Sequence, residues 1–193
     1  MTPTEVAEHV AHALNRAGIP YIYVGSFSSN QYGIPRSTKD IDIVVEMPAS
    51  ALEDLNSALG SKFIPEAQIR FETNTGTMCQ EFSVVGSAMK VEIFILSSDA
   101  HDRERFARRV EVPLFGTNVS FPTAEDVIVW KLRWARPKDL DDIRGVVLVQ
   151  SREASLDWGY IRDWCKQHET SERLHDLIET LPEKPVGWTN PAD

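Results

Sequence analysis

The chain is poor in the features that announce a secreted, membrane-bound or metal-stapled protein. Among its 193 residues there are two cysteines, Cys79 and Cys165, and no Cys-x-x-Cys pair. That excludes a disulfide framework, a zinc knuckle and a thioredoxin-like site, and leaves two buried thiols in a reducing compartment as the expectation. No apolar run approaches the roughly 20 residues that a membrane helix requires, and the first residues, Met1-Thr2-Pro3-Thr4-Glu5, carry no basic stretch followed by an apolar one. A cytoplasmic protein with no membrane partner is expected. Positive charge is scarce as well: 20 Lys and Arg stand against 29 Asp and Glu, a formal charge of −9. An acidic balance disfavours a general nucleic-acid coat while allowing a local basic groove. The five histidines have no zinc spacing, and neither repeats nor low-complexity blocks occur.

What remains is an alternation of strand and helix signals, then a helical stretch. Thr2-Pro3-Thr4-Glu5 reads as a capping box with proline at the first helical position, and Gly18 closes that helix. Tyr21–Val24 and 40–45 read as strands, and 26–32 as about two helical turns stopped by Gly33 and Pro35. A capped helix opens at Ser50. Residues 82–85 and 90–96 form a predicted hairpin, whose second arm is apolar enough for a central strand. Beyond residue 120 four helices are expected: 123–134, 137–148, 158–168 and 171–181. The resulting expectation is an α+β fold in three parts. Residues 1–120 form a core, a mixed sheet flanked by helices; 121–181 form a helical segment packed on it; 182–193, with three prolines, form a loose tail.

The chemistry concentrates in one stretch. Residues two apart on a strand share a face, so Asp40 and Asp42 project together. Two adjacent carboxylates repel unless a proton or a cation intervenes, and Mg²⁺ commonly takes one or two carboxylates plus phosphate oxygens. The alternative is two solvated acids at a strand start. Glu92 interrupts the apolar run Val91–Leu96; a buried unpaired acid there is costly. It therefore joins Asp40 and Asp42 around divalent ions, or pairs with a base such as Arg70 or Lys90, or lies at an exposed strand end. Gly25-Ser26 follows a strand and opens a short helix, a geometry that suits anions but also occurs in plain turns. Lys131 has Val127, Ile128, Trp134 and Ala135 as its helical neighbours, an unusual setting for a lysine. It either reaches a phosphate or snorkels to water. Arg36 either contacts phosphate or braces its loop by pairing with Asp40. Asp139 and Asp142 position Lys131 or Arg136, or simply favour a helix start after Pro137.

Taken together, Gly25-Ser26 and Gly33-x-x-Arg36-x-Thr38-x-Asp40-Ile41-Asp42 resemble the signature of the DNA polymerase β-like nucleotidyltransferase superfamily, most of all its AbiEii-type and minimal nucleotidyltransferase branches. The run from Lys131-Leu132 through Arg136, Lys138-Asp139 and Asp142-Ile143 is similar to the AbiEii-type helical motif. The likeness spans residues 20–145; its one departure is glutamate, longer by a methylene, as the third acid.

The resemblance implies a nucleotidyltransferase-like core and transfer of a nucleoside monophosphate from an NTP, such as ATP, to an acceptor hydroxyl. Asp40, Asp42 and Glu92 would bind Mg²⁺ or Mn²⁺ and, with Lys131, form the catalytic set. Gly25, Ser26, Arg36, Lys131 and Asp139 would serve the nucleotide. The acceptor stays open among tRNA, a protein and a small molecule. So do a toxin paired with an antitoxin partner, and an inactive NTP-binding module. Trp130, Trp134, Trp158 and Trp164 are expected as bundle core, and the basic run 103–109 as a solvated helix face.

Overall fold

The computed structural model describes residues 1–73, 76–153 and 156–189. These fall into two compact units: Met1–Phe27 with Ser37–Pro122, and Ser28–Arg36 with the chain from Thr123 onward. Among the described residues no helix is long and apolar enough to cross a membrane.

The first unit begins with helix α1 (Pro3–Ala17), held by the capping box between Thr2 and Glu5 and closed by Gly18. Strand β1 (Tyr21–Val24) leads into helix α2 (Gly25–Tyr32), within which the division between units falls. Strand β2 (Asp40–Val45) is followed by a 3-10 turn at Ala49–Ala51 and helix α3 (Leu52–Leu59). The cap expected at Ser50 is not formed: the N-cap is Ala51, with no side-chain hydrogen bond.

Strands β3 (Phe63–Pro65), β4 (Arg70–Glu72), β5 (Thr77–Val84) and β6 (Lys90–Ile95) complete a mixed sheet in the order β1-β2-β6-β5-β3. Both β3 and β4 pair with β5, at its two ends, so one broken edge strand runs along it. β2 and β6 are parallel neighbours and the other pairs are antiparallel. Helix α4 (Ala100–Ala107) and a separate hairpin, β7 (Val110–Leu114) with β8 (Thr117–Phe121), end the unit.

Pleating divides the sheet into two faces. One carries Tyr23, Ile43 and Ile93, and packs under α1, where the Tyr23 hydroxyl donates to the Ala7 carbonyl at 2.6 Å. The other changes character along its strands. At one end Ile22, Val24, Val44 and Leu96 form a cluster with Phe106 of α4. At the other end it carries the acids described below. Burying each large aliphatic side chain of this kind stabilises the fold by about 1.5–3 kcal/mol.

The second unit contains α5 (Ala124–Trp134), α6 (Pro137–Glu153), α7 (Trp158–Gln167) and α8 (Ser171–Glu179) around one apolar core, with Trp158, Ile161 and Leu177 among its members. Thr123 caps α5 by accepting from the Asp126 amide. The described part of the expected tail is held down. The Trp158 indole donates to the Val186 carbonyl at 2.9 Å, and Trp188 meets Trp158 edge-on at 5.0 Å. Residues 190–193 lie outside the described residues.

Ser28–Arg36 joins this unit for a steric reason. A Cβ on Gly33 would stand 2.7 Å from the Val146 amide nitrogen, so only glycine lets the loop approach α6 so closely.

The basic run 103–109 is not a solvated face throughout. Arg105 is buried, with its guanidinium 2.7 Å from Asp102, itself buried and bonded to Ser97. Both cysteines are free and buried, and burial pushes each thiol up to about 11, which keeps them protonated and unreactive at neutral pH.

Candidate active site

Asp40 and Asp42 occupy the first and third positions of β2 and share a face. In the parallel register with β6, Asp42 lies opposite Glu92 and Asp40 opposite Lys90. In the antiparallel register with β5, Glu92 lies opposite Glu81. Asp42, Glu92 and Glu81 thus form one row across three strands, with Asp40 one step toward the strand ends. The start of β2 is framed by Thr38, whose hydroxyl accepts from the Asp40 amide at 3.3 Å and donates to the Asp40 carbonyl at 3.0 Å.

Gly25 stands against this row. Val24 is the register partner of Asp42, and Gly25, at φ 61°, turns the chain into α2. A Cβ there would lie 1.9 Å from Asp42 Oδ2. The close approach brings the start of α2, with its partial positive charge, to the Asp42 carboxylate. Ser26, buried at the next position, is in the first turn.

Two cations are already attached to the row. Arg70 Nη2 lies 2.5 Å from Glu92 Oε1 and 3.4 Å from Glu81 Oε2, and Lys90 pairs with Glu81 Oε1. The hydrogen bond to Glu92 holds Arg70 more firmly charged, raising its pKa above the ordinary value. The pairing with Arg70 is one of the alternatives open for Glu92 in the sequence. Glu81 was missed: its strand reads Thr77-Met-Cys-Gln-Glu-Phe-Ser-Val84, an alternation too polar to show which residues share a face.

Whether these residues suit a divalent ion follows from their chemistry. All are hard oxygen donors. Among the described residues, however, no group of three or more His, Cys, Asp or Glu side chains closes around a metal position. A pair of carboxylates on an open face, beside a helix start, fits an ion whose remaining ligands come from phosphate and water, as Mg²⁺ prefers. It does not fit a cage made by protein alone.

The remaining predicted residues assemble in the second unit. Lys131, whose side chain is 7% exposed, places Nζ 2.8 Å from Asp142 Oδ2 and 3.4 Å from Asp139 Oδ1. It neither snorkels to water nor stands alone among apolar neighbours. Arg36 donates through Nε to Asp142 Oδ1 at 2.6 Å and through Nη2 to Asp142 Oδ2 at 2.9 Å, a two-point grip that braces its loop from Asp142. Asn30 adds two backbone bonds to Arg36. Arg136 holds Asp139 at 2.6 Å.

Burial alone would raise both aspartates. The bonds from Arg136 and Lys131 to Asp139, and from Arg36 and Lys131 to Asp142, outweigh it and hold both carboxyls below their ordinary 3.8.

Solved structures of nucleotidyltransferases share this architecture. ANT(2'')-Ia in complex with adenylyl-2''-tobramycin shares 14% identity at a TM-score of 0.58, over 89% of this chain and 99% of that one. An antigenic nucleotidyltransferase-like protein from Paracoccidioides brasiliensis gives 15% and 0.58, over 91% of each chain. A putative nucleotidyltransferase from Helicobacter pylori gives 16% and 0.54, over 92% of this chain and 82% of that one. At such identities the likeness is one of fold.

The family follows from sequence: residues 4–178 match the family described as "Nucleotidyltransferase of unknown function (DUF6036)", and the chain belongs to it. It is thus an enzyme of the nucleotidyltransferase class with a mixed sheet flanked by helices. No curated protein sequence matches it.

Proposed function

We infer that the chain transfers a nucleoside monophosphate from an NTP to a hydroxyl of a small acceptor. The observation that carries this reading is the row Asp42–Glu92, flanked by Asp40 and faced by Gly25 at the start of α2. Asp40 and Asp42 hold a divalent cation together with the triphosphate. When bound, that ion offsets charge on the α-phosphate and on the leaving pyrophosphate. The first turn of α2, with the Ser26 hydroxyl, orients phosphate oxygens.

Glu92, beside Asp42 on the same face of the sheet, takes the proton of the acceptor hydroxyl. The acceptor oxygen then bonds to the α-phosphorus, and the bond from that phosphorus to the bridging oxygen breaks. Catalysis of this kind rests on positioning and electrostatics. Arg36, Lys131 and Asp139 take a bracing role, because their charges are spent on Asp142 and on one another. A small acceptor is favoured by the −9 charge of the chain, which repels polyanions, and by the adenylylated tobramycin seen with ANT(2'')-Ia.

The test compares wild type with Asp42→Asn, supplying each labelled NTP, Mg²⁺ or Mn²⁺, and a cell extract split into RNA, protein and metabolites. Label should appear in the metabolite fraction and fall by at least about 100-fold in the variant, with an unchanged melting temperature. Equal transfer by both proteins overturns the assignment of the site. Label in RNA or protein overturns the small acceptor.

A further inference from the structure

The acid row presents an electrostatic conflict. Glu81 and Glu92 lie directly opposite each other on neighbouring strands, both side chains within reach of water, at 13% and 23% exposure. Like charges in that position destabilise a sheet. Lys90 and Arg70 relieve the conflict from two sides, but unequally. Glu81 is held by both, whereas Glu92 has Arg70. Arg70 comes from the edge: β4 has three residues, pairs with the end of β5, and leaves the Arg70 side chain 51% exposed. A half-exposed ion pair on a short edge strand is a weak and releasable contact.

We propose that Arg70 is the resident counter-ion of the carboxylate row and competes with the divalent cation for Glu92. This rests on the metal-binding reading of Asp42 given above and extends it to Glu92, its register partner on β6. A cation shared between Asp42 and Glu92 and the guanidinium on Glu92 Oε1 draw on the same carboxylate, so each weakens the other. In the nucleotide-free protein the guanidinium keeps the row neutral enough to fold, and its withdrawal frees Glu92 as the ion and triphosphate arrive. Arg70 acts through Glu92 and is in this sense a positioning residue.

Mn²⁺ binding to the nucleotide-free full chain, followed by calorimetry and by the paramagnetic resonance of free Mn²⁺, tests the proposal without reference to turnover. Arg70→Gln should tighten Mn²⁺ binding about five-fold, the strength of a partly exposed pair. Arg70→Lys, which keeps the charge, should bind as wild type does. In a Glu92→Gln background, Arg70→Gln should change nothing. An unchanged or weaker affinity in Arg70→Gln overturns the competition, as does an Arg70→Lys affinity equal to that of Arg70→Gln. Asp42→Asn separates the two levels: lost Mn²⁺ binding supports the site itself, and wild-type binding overturns the site and the competition together.

Discussion

Two groups of charges, one in each unit, are built from the same residue types and do opposite things. In the helical unit Asp139 and Asp142 meet Arg36, Lys131 and Arg136, so cations outnumber acids, and the two carboxylates are 1% and 3% exposed. On the sheet Asp40, Asp42, Glu81 and Glu92 meet Arg70 and Lys90, so acids outnumber cations, and the face is open. Buried charge survives only when matched and hydrogen-bonded. Exposed charge can stand in excess because water screens it, and an excess of one sign is what an incoming cation needs. The sealed group braces; the open group is the one proposed to bind.

The sharpest way to break this contrast is to remove one acid from each. Asp142→Ala leaves Lys131 and Arg36 without their shared partner, and should cost about 3–5 kcal/mol in denaturant unfolding. Glu81→Ala should change stability by less than about 1 kcal/mol, since it also removes the repulsion with Glu92. Equal losses would erase the distinction.

A smaller effect is expected from Gly25→Ala. A side chain at φ 61° costs about 1–2 kcal/mol by itself. The new Cβ would also displace the Asp42 carboxylate, so Mn²⁺ affinity should fall along with the melting temperature.

The gentlest probe is pH. Asp139 and Asp142 have pKa values lowered by folding, so their contribution is complete above the ordinary carboxyl value of 3.8 and drains away as pH falls through the folded values. The gap in melting temperature between wild type and Asp142→Asn should therefore stay flat from about pH 7 to about pH 5 and narrow below about pH 4. A gap that narrows already near neutrality would assign the stability to other groups.

Local signals were readable in the sequence where the chemistry is itself local. The box of Thr2 and Glu5 and the strand of Asp40 and Asp42 each depend on residues a few positions apart. Strands β3 and β4 have three residues each and carry no period, so the edge that delivers Arg70 was invisible, as was the hairpin of β7 and β8. The partners of Lys131 lie eight and eleven positions on, across a turn into α6. From its own helix it reads as an isolated charge among apolar neighbours. Arg105 misled in the same way, because its burial depends on how α4 lies over the sheet and not on its basic neighbours in the chain.

Gly33 and Gly145 face each other where the loop before Arg36 passes over α6. A Cβ on the first would meet the Val146 nitrogen at 2.7 Å, and one on the second the Ile34 nitrogen at 3.1 Å. Each glycine is thus a condition set by the other's backbone. A lineage that exchanges either for a larger residue must lift the loop off the helix and stretch the two-point grip of Arg36 on Asp142. The two positions, more than a hundred apart in the chain, answer to a single steric condition.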